Sequence, residues 1–178
     1  MVDWLNPAYT GETLHEAAKE FASQGNIQLL QFLSQKGLDK FKFRFRKLYD
    51  PLKVSCSIGK SPAFVKSREF CAVLSAVIGR EMHVVHSGLY LFDKSDYTVL
   101  FDELKPEKGV AFILDLVDGD DSWGGYTSFM KGDREVVRVI AKGNALSLVD
   151  QSGLKSFTKY VNHHAQKPRV FLYGVLQK

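Results

Sequence analysis

Apolar residues recur every three to four positions early in the chain, at Leu14, Ala17, Ala18, Phe21 and Ala22. That spacing gathers them on one stripe of a helix, which Thr10 or Thr13 can cap and Gly25 can end. A second short helix is predicted from about Ile27 to Gln35, stopping at Gly37. The period then changes. Lys40, Phe41, Lys42, Phe43, Arg44, Phe45 and Arg46 alternate strictly, which puts the three phenylalanines on one face of a strand and the four cations on the other. Ser67 to Ile78 carries the strongest helical stripe, formed by Phe70, Val73, Leu74 and Val77. Ser67 is a natural cap there and Gly79 a natural stop.

From Met82 onward the pattern is one of mostly short strands separated by Gly, Asp and Asn turns. Strands are predicted at Met82–Phe92, Tyr97–Glu103, Val110–Val117, Tyr126–Met130, Glu135–Ala141, Ala145–Asp150, Ser156–Asn162 and Arg169–Leu176. This is the signature of a jelly roll or barrel and not of alternating strands and helices. The expected fold class is therefore α+β, a double-stranded β-helix (jelly roll) core with N-terminal buttressing helices. One domain is expected over 1–178, with no Pro/Gly/Ser linker, repeat or low-complexity stretch to divide it. Residues 1–80 would give mainly helical support with one or two strands, and 81–178 the core.

Composition agrees with a packed interior. The 178 residues are 45% hydrophobic and 12% aromatic, with 13 Phe, which excludes a disordered chain. The formal charge of +4 is only mildly basic. No apolar run approaches the roughly 20 residues that span a bilayer, so no membrane role is expected. The opening Met1 to Pro7 lacks the basic start and apolar stretch of a signal peptide. Cys56 and Cys71 have no CxxC spacing and no histidine cluster nearby, which favours reduced thiols and a cytoplasmic location.

Three segments resemble the 2-oxoglutarate- and Fe(II)-dependent oxygenases, in their prolyl-hydroxylase-like branch. Asp96 to Glu103 looks like the strand that ends in that family's His-x-Asp/Glu iron motif. Trp123, Gly124, Gly125, Tyr126 and Thr127 are similar to the Gly-Gly turn that opens a later strand. Asn144 to Leu148, running on to Arg169, resembles the stretch holding the second iron histidine and then the arginine that grips 2-oxoglutarate. The opening Trp4 to Tyr9 and its following helix look like the family's lead-in. The resemblance covers most of the chain in order, with no single motif intact.

The departures bear on function. Iron of this class is held by two histidines and one carboxylate, leaving positions open for oxygen and cosubstrate. Laid on this chain, the motif puts Phe101 at the first histidine and Glu103 at the carboxylate, sharing one strand face. The second histidine position falls at or near Phe157. A phenyl ring donates no electron pair to a metal. His163 and His164 offer a rescue, with His163 on the face of Phe157, Lys159 and Val161 if the hairpin is shortened. The family's spacing to the arginine fits Phe157 or Tyr160 better, and an exposed hairpin end is the simpler place for both histidines. Arg169 is implied as the 2-oxoglutarate carboxylate ligand, or else as the partner of Glu103 or another acid. Lys159 or Arg169 would then supply the positive charge that iron supplies in active relatives.

The resemblance thus implies an oxygenase-like protein whose iron site is lost or weakened, a pseudo-oxygenase or binding module. It is expected to use no cofactor and to bind a protein, a peptide or a small carboxylic acid. The rival reading is an active dioxygenase with a non-standard ligand set: Glu103 and His163 on Fe(II), and Arg169 on 2-oxoglutarate. Other patterns carry less. His83 and His86 lie three apart on a strand and so on opposite faces. His15 sits among charged helix neighbours. Asp115, Asp118, Asp120 and Asp121 lack the spacing of a calcium loop and read as a solvated turn. Ser57 to Pro62 is a fragment of a phosphate loop, and no nucleophile elbow occurs. The cations of residues 40–47, Lys42 and Arg44 among them, suit a protected edge strand or a nucleic-acid contact.

Overall fold

A computed structural model describes residues 2–100 and 108–178. Helix α1 spans Gly11–Gln24, where the Thr10 side chain accepts from the Thr13 N–H and Gly25, left-handed at φ 70°, donates to Phe21. Ala17 and Phe21 are its buried residues. The helix predicted next is absent. Asn26–Leu29 is strand β1, paired antiparallel with a later strand, Ala145–Asp150 (β9). Ile27 and Leu29 are buried while Leu30 is 57% exposed. In so short a window the apolar residues satisfy both periods, and the open backbone edge of β9 decides between them. Only a single turn, α2 (Gln35–Leu38), follows, capped by Ser34; Gly37 lies inside it, packed against the Trp4 backbone.

The alternating stretch at 40–46 also differs from expectation. Strand β2 covers Phe45–Asp50 and begins opposite Gly59, the end of strand β3 (Val54–Gly59). Residues before Phe45 have no backbone partner in that ladder. Phe41, Phe43 and Phe45 still stack in sequence at 6.4 Å per step, but Phe41 is buried and Phe43 is 59% exposed. Residues 2–80 thus contribute three strands, one more than anticipated. Helix α3 is Arg68–Ile78, capped by Ser67 and ended by Gly79, with Phe70, Leu74 and Val77 buried.

The later strands are β4 (His83–Phe92), β5 (Tyr97–Thr98), β6 (Val110–Asp115), β7 (Thr127–Lys131), β8 (Arg134–Val139), β9, β10 (Lys155–Thr158) and β11 (Arg169–Gln177). They form two antiparallel sheets. The larger runs β1-β9-β6-β11-β4-β3-β2, with β5 also on β3, and the smaller runs β10-β7-β8. The sheets face each other without closing, the arrangement of a double-stranded β-helix. β2 lies at an edge of the large sheet, where exposed cations discourage further pairing.

Alternation along the central strands builds two cores. Val110, Phe112 and Leu114 of β6, with Val170, Leu172 and Leu176 of β11, meet the helices; Phe70 of α3 packs 5.5 Å from Phe112. Ala111 and Ile113, with Phe171, turn to the other side and join Phe92, Phe129 and Cys56 between the sheets. Burial of these side chains, at about 25 cal/mol per Å² of apolar area, is what holds the layers together. Both cysteines are free thiols, Cys56 buried and Cys71 half-buried. No helix among the described residues is long and apolar enough to cross a membrane.

Candidate functional site: the cavity between the sheets

The candidate functional face is the mouth between the two sheets, where a buried ion pair is built around Arg169. This first residue of β11 points the same way as Phe171, toward the small sheet, and is 6% exposed. Its Nε donates to Asp115 Oδ1 at 2.7 Å and its Nη2 to Asp115 Oδ2 at 3.1 Å, a two-pronged ion pair. Nη1 donates to the Gly125 carbonyl at 2.7 Å and to Thr127 Oγ1 at 2.8 Å. The guanidinium also lies 4.3 Å from the centre of the Phe171 ring.

Asp115 is fully buried at the end of β6. Burial pushes its carboxyl upward, and the guanidinium beside it opposes that push. An unpaired acid here would be costly, so the pair is held together by the absence of water around it. This placement corrects the reading of Asp115 as part of a solvated turn. Only Asp118, Asp120 and Asp121 are exposed; Asp120 caps Ser122, and Asp121 pairs with Arg138. The overlooked signal was position: Asp115 closes an unbroken apolar run, where a lone acid must find a buried partner.

The Gly-Gly turn delivers the Gly125 carbonyl. Gly124 has φ 69°, and a Cβ on it would stand 2.0 Å from the Tyr160 carbonyl oxygen. Only glycine fits both that dihedral and that approach. The turn is stitched to the chain beyond β10 by a bridge between Gly124 and Val161. β10 ends at Thr158, four residues before the predicted end, so the strand alternation is not continued to His163. Lys159, Tyr160, His163 and His164 are exposed while Val161 is buried. The two histidine rings lie 3.9 Å apart in the turn beyond.

Beside the ion pair, a cavity of about 240 Å³ opens between the sheets. Tyr90, Phe92, Phe171 and Tyr173 line it from the large sheet, and Thr127, Ser156, Phe157 and Thr158 from the small one. Lys53, Thr98 and Val99 complete the rim. β10 is tied to β5 here, the Thr158 N–H donating to Thr98 Oγ1 at 2.6 Å. Phe157, the residue at the expected second histidine position, therefore forms part of the cavity wall. Phe101 and Glu103 lie outside the described residues.

The described residues do not make a donor set for iron. Among them no group of three or more His, Cys, Asp or Glu side chains is placed to hold a metal ion. Arg169 has its carboxylate partner within the chain. A second acidic centre lies at the sheet edge: Asp96, 2% exposed, accepts from Lys47 Nζ at 2.5 Å, Ser55 Oγ at 2.6 Å and the Asp93 N–H at 3.0 Å. Burial raises its carboxyl, but these donors together outweigh burial and hold it below the ordinary aspartate value. Lys40 is likewise engaged, with Asp3 at 3.0 Å, so two cations of the 40–47 stretch are internally paired.

This architecture is that of the 2-oxoglutarate- and Fe(II)-dependent oxygenases. A solved prolyl-4-hydroxylase from Pseudomonas putida superposes with a TM-score of 0.59 at 13% identity, covering 93% of this chain and 99% of that one. An oxidoreductase of the 2OG-Fe(II) oxygenase family from Burkholderia pseudomallei gives 0.67 at 10% identity, with 92% and 90% covered. A prolyl hydroxylase from Trichoplax adhaerens, solved with a hypoxia inducible factor peptide fragment, gives 0.61 at 11%, with 93% and 90% covered. No family model matches the sequence. No curated protein matches it either. The likeness is one of fold, at identities too low to carry residue roles.

Proposed function

We propose that this protein is a pseudo-oxygenase, a binding module that keeps the oxygenase fold without its iron chemistry. One observation carries the reading: the Arg169 guanidinium, which the resemblance would offer to 2-oxoglutarate, is gripped on two nitrogens by Asp115 of the same chain. A bidentate arginine–carboxylate pair is directional and leaves that edge of the guanidinium no room for a second acid. Phe157 in the cavity wall and the exposed position of His163 support the same reading. The active alternative needs Glu103 and His163 on iron together with a free Arg169, and the pairing of Arg169 weighs against it.

The cavity then serves to bind a small molecule or a peptide side chain. Thermal unfolding with Mn(II) and 2-oxoglutarate, separately and together, tests the proposal. A specific ligand at one hundred times its Kd stabilises by about 2.7 kcal/mol, which a melting curve resolves as a shift of several degrees. No shift is expected with either compound or with both. A saturable, Mn(II)-dependent shift with 2-oxoglutarate would overturn the proposal.

A further inference from the structure

The walls of the cavity specify the kind of molecule that fits it. On the large sheet, Tyr90 and Phe171 stack with ring centres 5.7 Å apart and planes 22° from parallel. Phe92 lies 5.6 Å from the same Phe171 ring, and Tyr173 meets Tyr90 edge-on at 6.3 Å. Phe157 adds a fifth ring from the small sheet. Ring faces and edges of this kind complement a flat aromatic guest better than a saturated one, because their quadrupoles favour stacked and edge-to-face contact. Size agrees. A cavity of about 150 Å³ with apolar walls is enough for benzene, so about 240 Å³ has room for a second ring or a short side chain.

Charge fixes the remaining feature. Among the described residues lining the cavity, Lys53 alone is charged. It sits between β2 and β3, its carbonyl held by the Val99 N–H at 2.9 Å, and its side chain enters none of the ion pairs among the described residues. An exposed ammonium at the rim of an aromatic box attracts an anion whose body is apolar. Arg169 does not compete for that anion, being neutralised by Asp115.

We propose that the cavity binds a small aromatic carboxylate of one or two rings, with the ring among Tyr90, Phe92, Phe157 and Phe171 and the acid group at Lys53. This rests on the proposed function, since it requires a cavity occupied by neither metal nor 2-oxoglutarate. Calorimetric titration of the full chain with naphthoate and indole acetate tests it, with cyclohexanecarboxylate as the control for the ring and naphthylmethanol as the control for the charge. Both aromatic acids bind at one site per chain, and cyclohexanecarboxylate binds roughly tenfold more weakly. Lys53→Met weakens the acids about two- to fivefold and leaves naphthylmethanol unchanged. Phe157→Leu, which keeps an apolar side chain and removes the ring, weakens acids and alcohol alike, with circular dichroism confirming its fold. Absence of saturable binding by either aromatic acid, or binding unmoved by both substitutions, overturns the inference. If 2-oxoglutarate with Mn(II) is silent in the same titrations, the proposed function survives that failure. Mn(II)-dependent binding of 2-oxoglutarate overturns both.

Discussion

Arg169 and Asp115 show how one residue's partner redirects a site. An arginine at the head of β11 can serve an incoming acid only while its own chain leaves it unpaired. Here Asp115 occupies it, with Gly125 and Thr127 taking further donors. Breaking one partner of a buried pair strands the other without water, whereas replacing both with apolar groups removes the desolvation cost along with the attraction. Asp115→Ala is therefore expected to destabilise the protein by about 3–5 kcal/mol in urea unfolding. The double change Asp115→Leu with Arg169→Met should recover most of that loss. If the single change costs less than about 1 kcal/mol, the pair contributes far less than its geometry implies.

At the scale of elements, Asp96 fastens β2 and β3 to the start of β5. Lys47 reaches it from β2 and Ser55 from β3, so one carboxylate holds three segments at the sheet edge. Its carboxyl is held low in the folded state. Such a group contributes stability that is fully present above the unfolded value of about 3.9 and is lost as pH falls through the lower folded value. Lys47 is half exposed, so solvent screens the ion pair and the expected cost of Asp96→Asn at pH 7 is modest, about 1 kcal/mol. Denaturation curves across pH should show that difference from the parent chain shrinking below about pH 4. A difference that stays constant down to pH 2 would assign the effect to packing and not to charge.

For the whole molecule, the layering of sheets and helices gives the two thiols different fates. Cys56 lies between the sheets at 1% exposure. Its thiol is pushed up to about 11, first by burial and then by the negative charge of Asp96, with Lys47 opposing. Thiolate is the reactive form, so Cys56 is doubly protected, by access and by protonation. Cys71 sits half-buried on α3, outside both sheets. Alkylation at pH 8 followed by peptide mass spectrometry should label Cys71 in the native protein. Cys56 should react only as the sheets separate, making it a reporter of global opening. Early labelling of Cys56 would mean that the mouth between the sheets opens without unfolding.

Sequence alone settled what local physics can settle. The α3 cap at Ser67 and stop at Gly79 need only hydrogen bonds and dihedrals within a few residues, as does the α1 stop at Gly25, while the choice of Thr10 over Thr13 as the α1 cap came from the structure. Turn residues between short apolar runs located the strands of the core, whose central members β6, β9 and β11 are buried on both faces and so show little polar alternation. Phe157, singled out from the sequence at the expected second histidine position, lines the cavity. Tertiary structure decided the rest. Ile27 to Leu29 could satisfy a helix or a strand until β9 presented an unpaired edge more than a hundred residues away. Asp115 looked like one of four loop acids until folding brought Arg169, 54 positions later, within hydrogen-bonding distance. A residue's period records which way it faces, but what it meets there depends on chain closure over distances that no local pattern encodes.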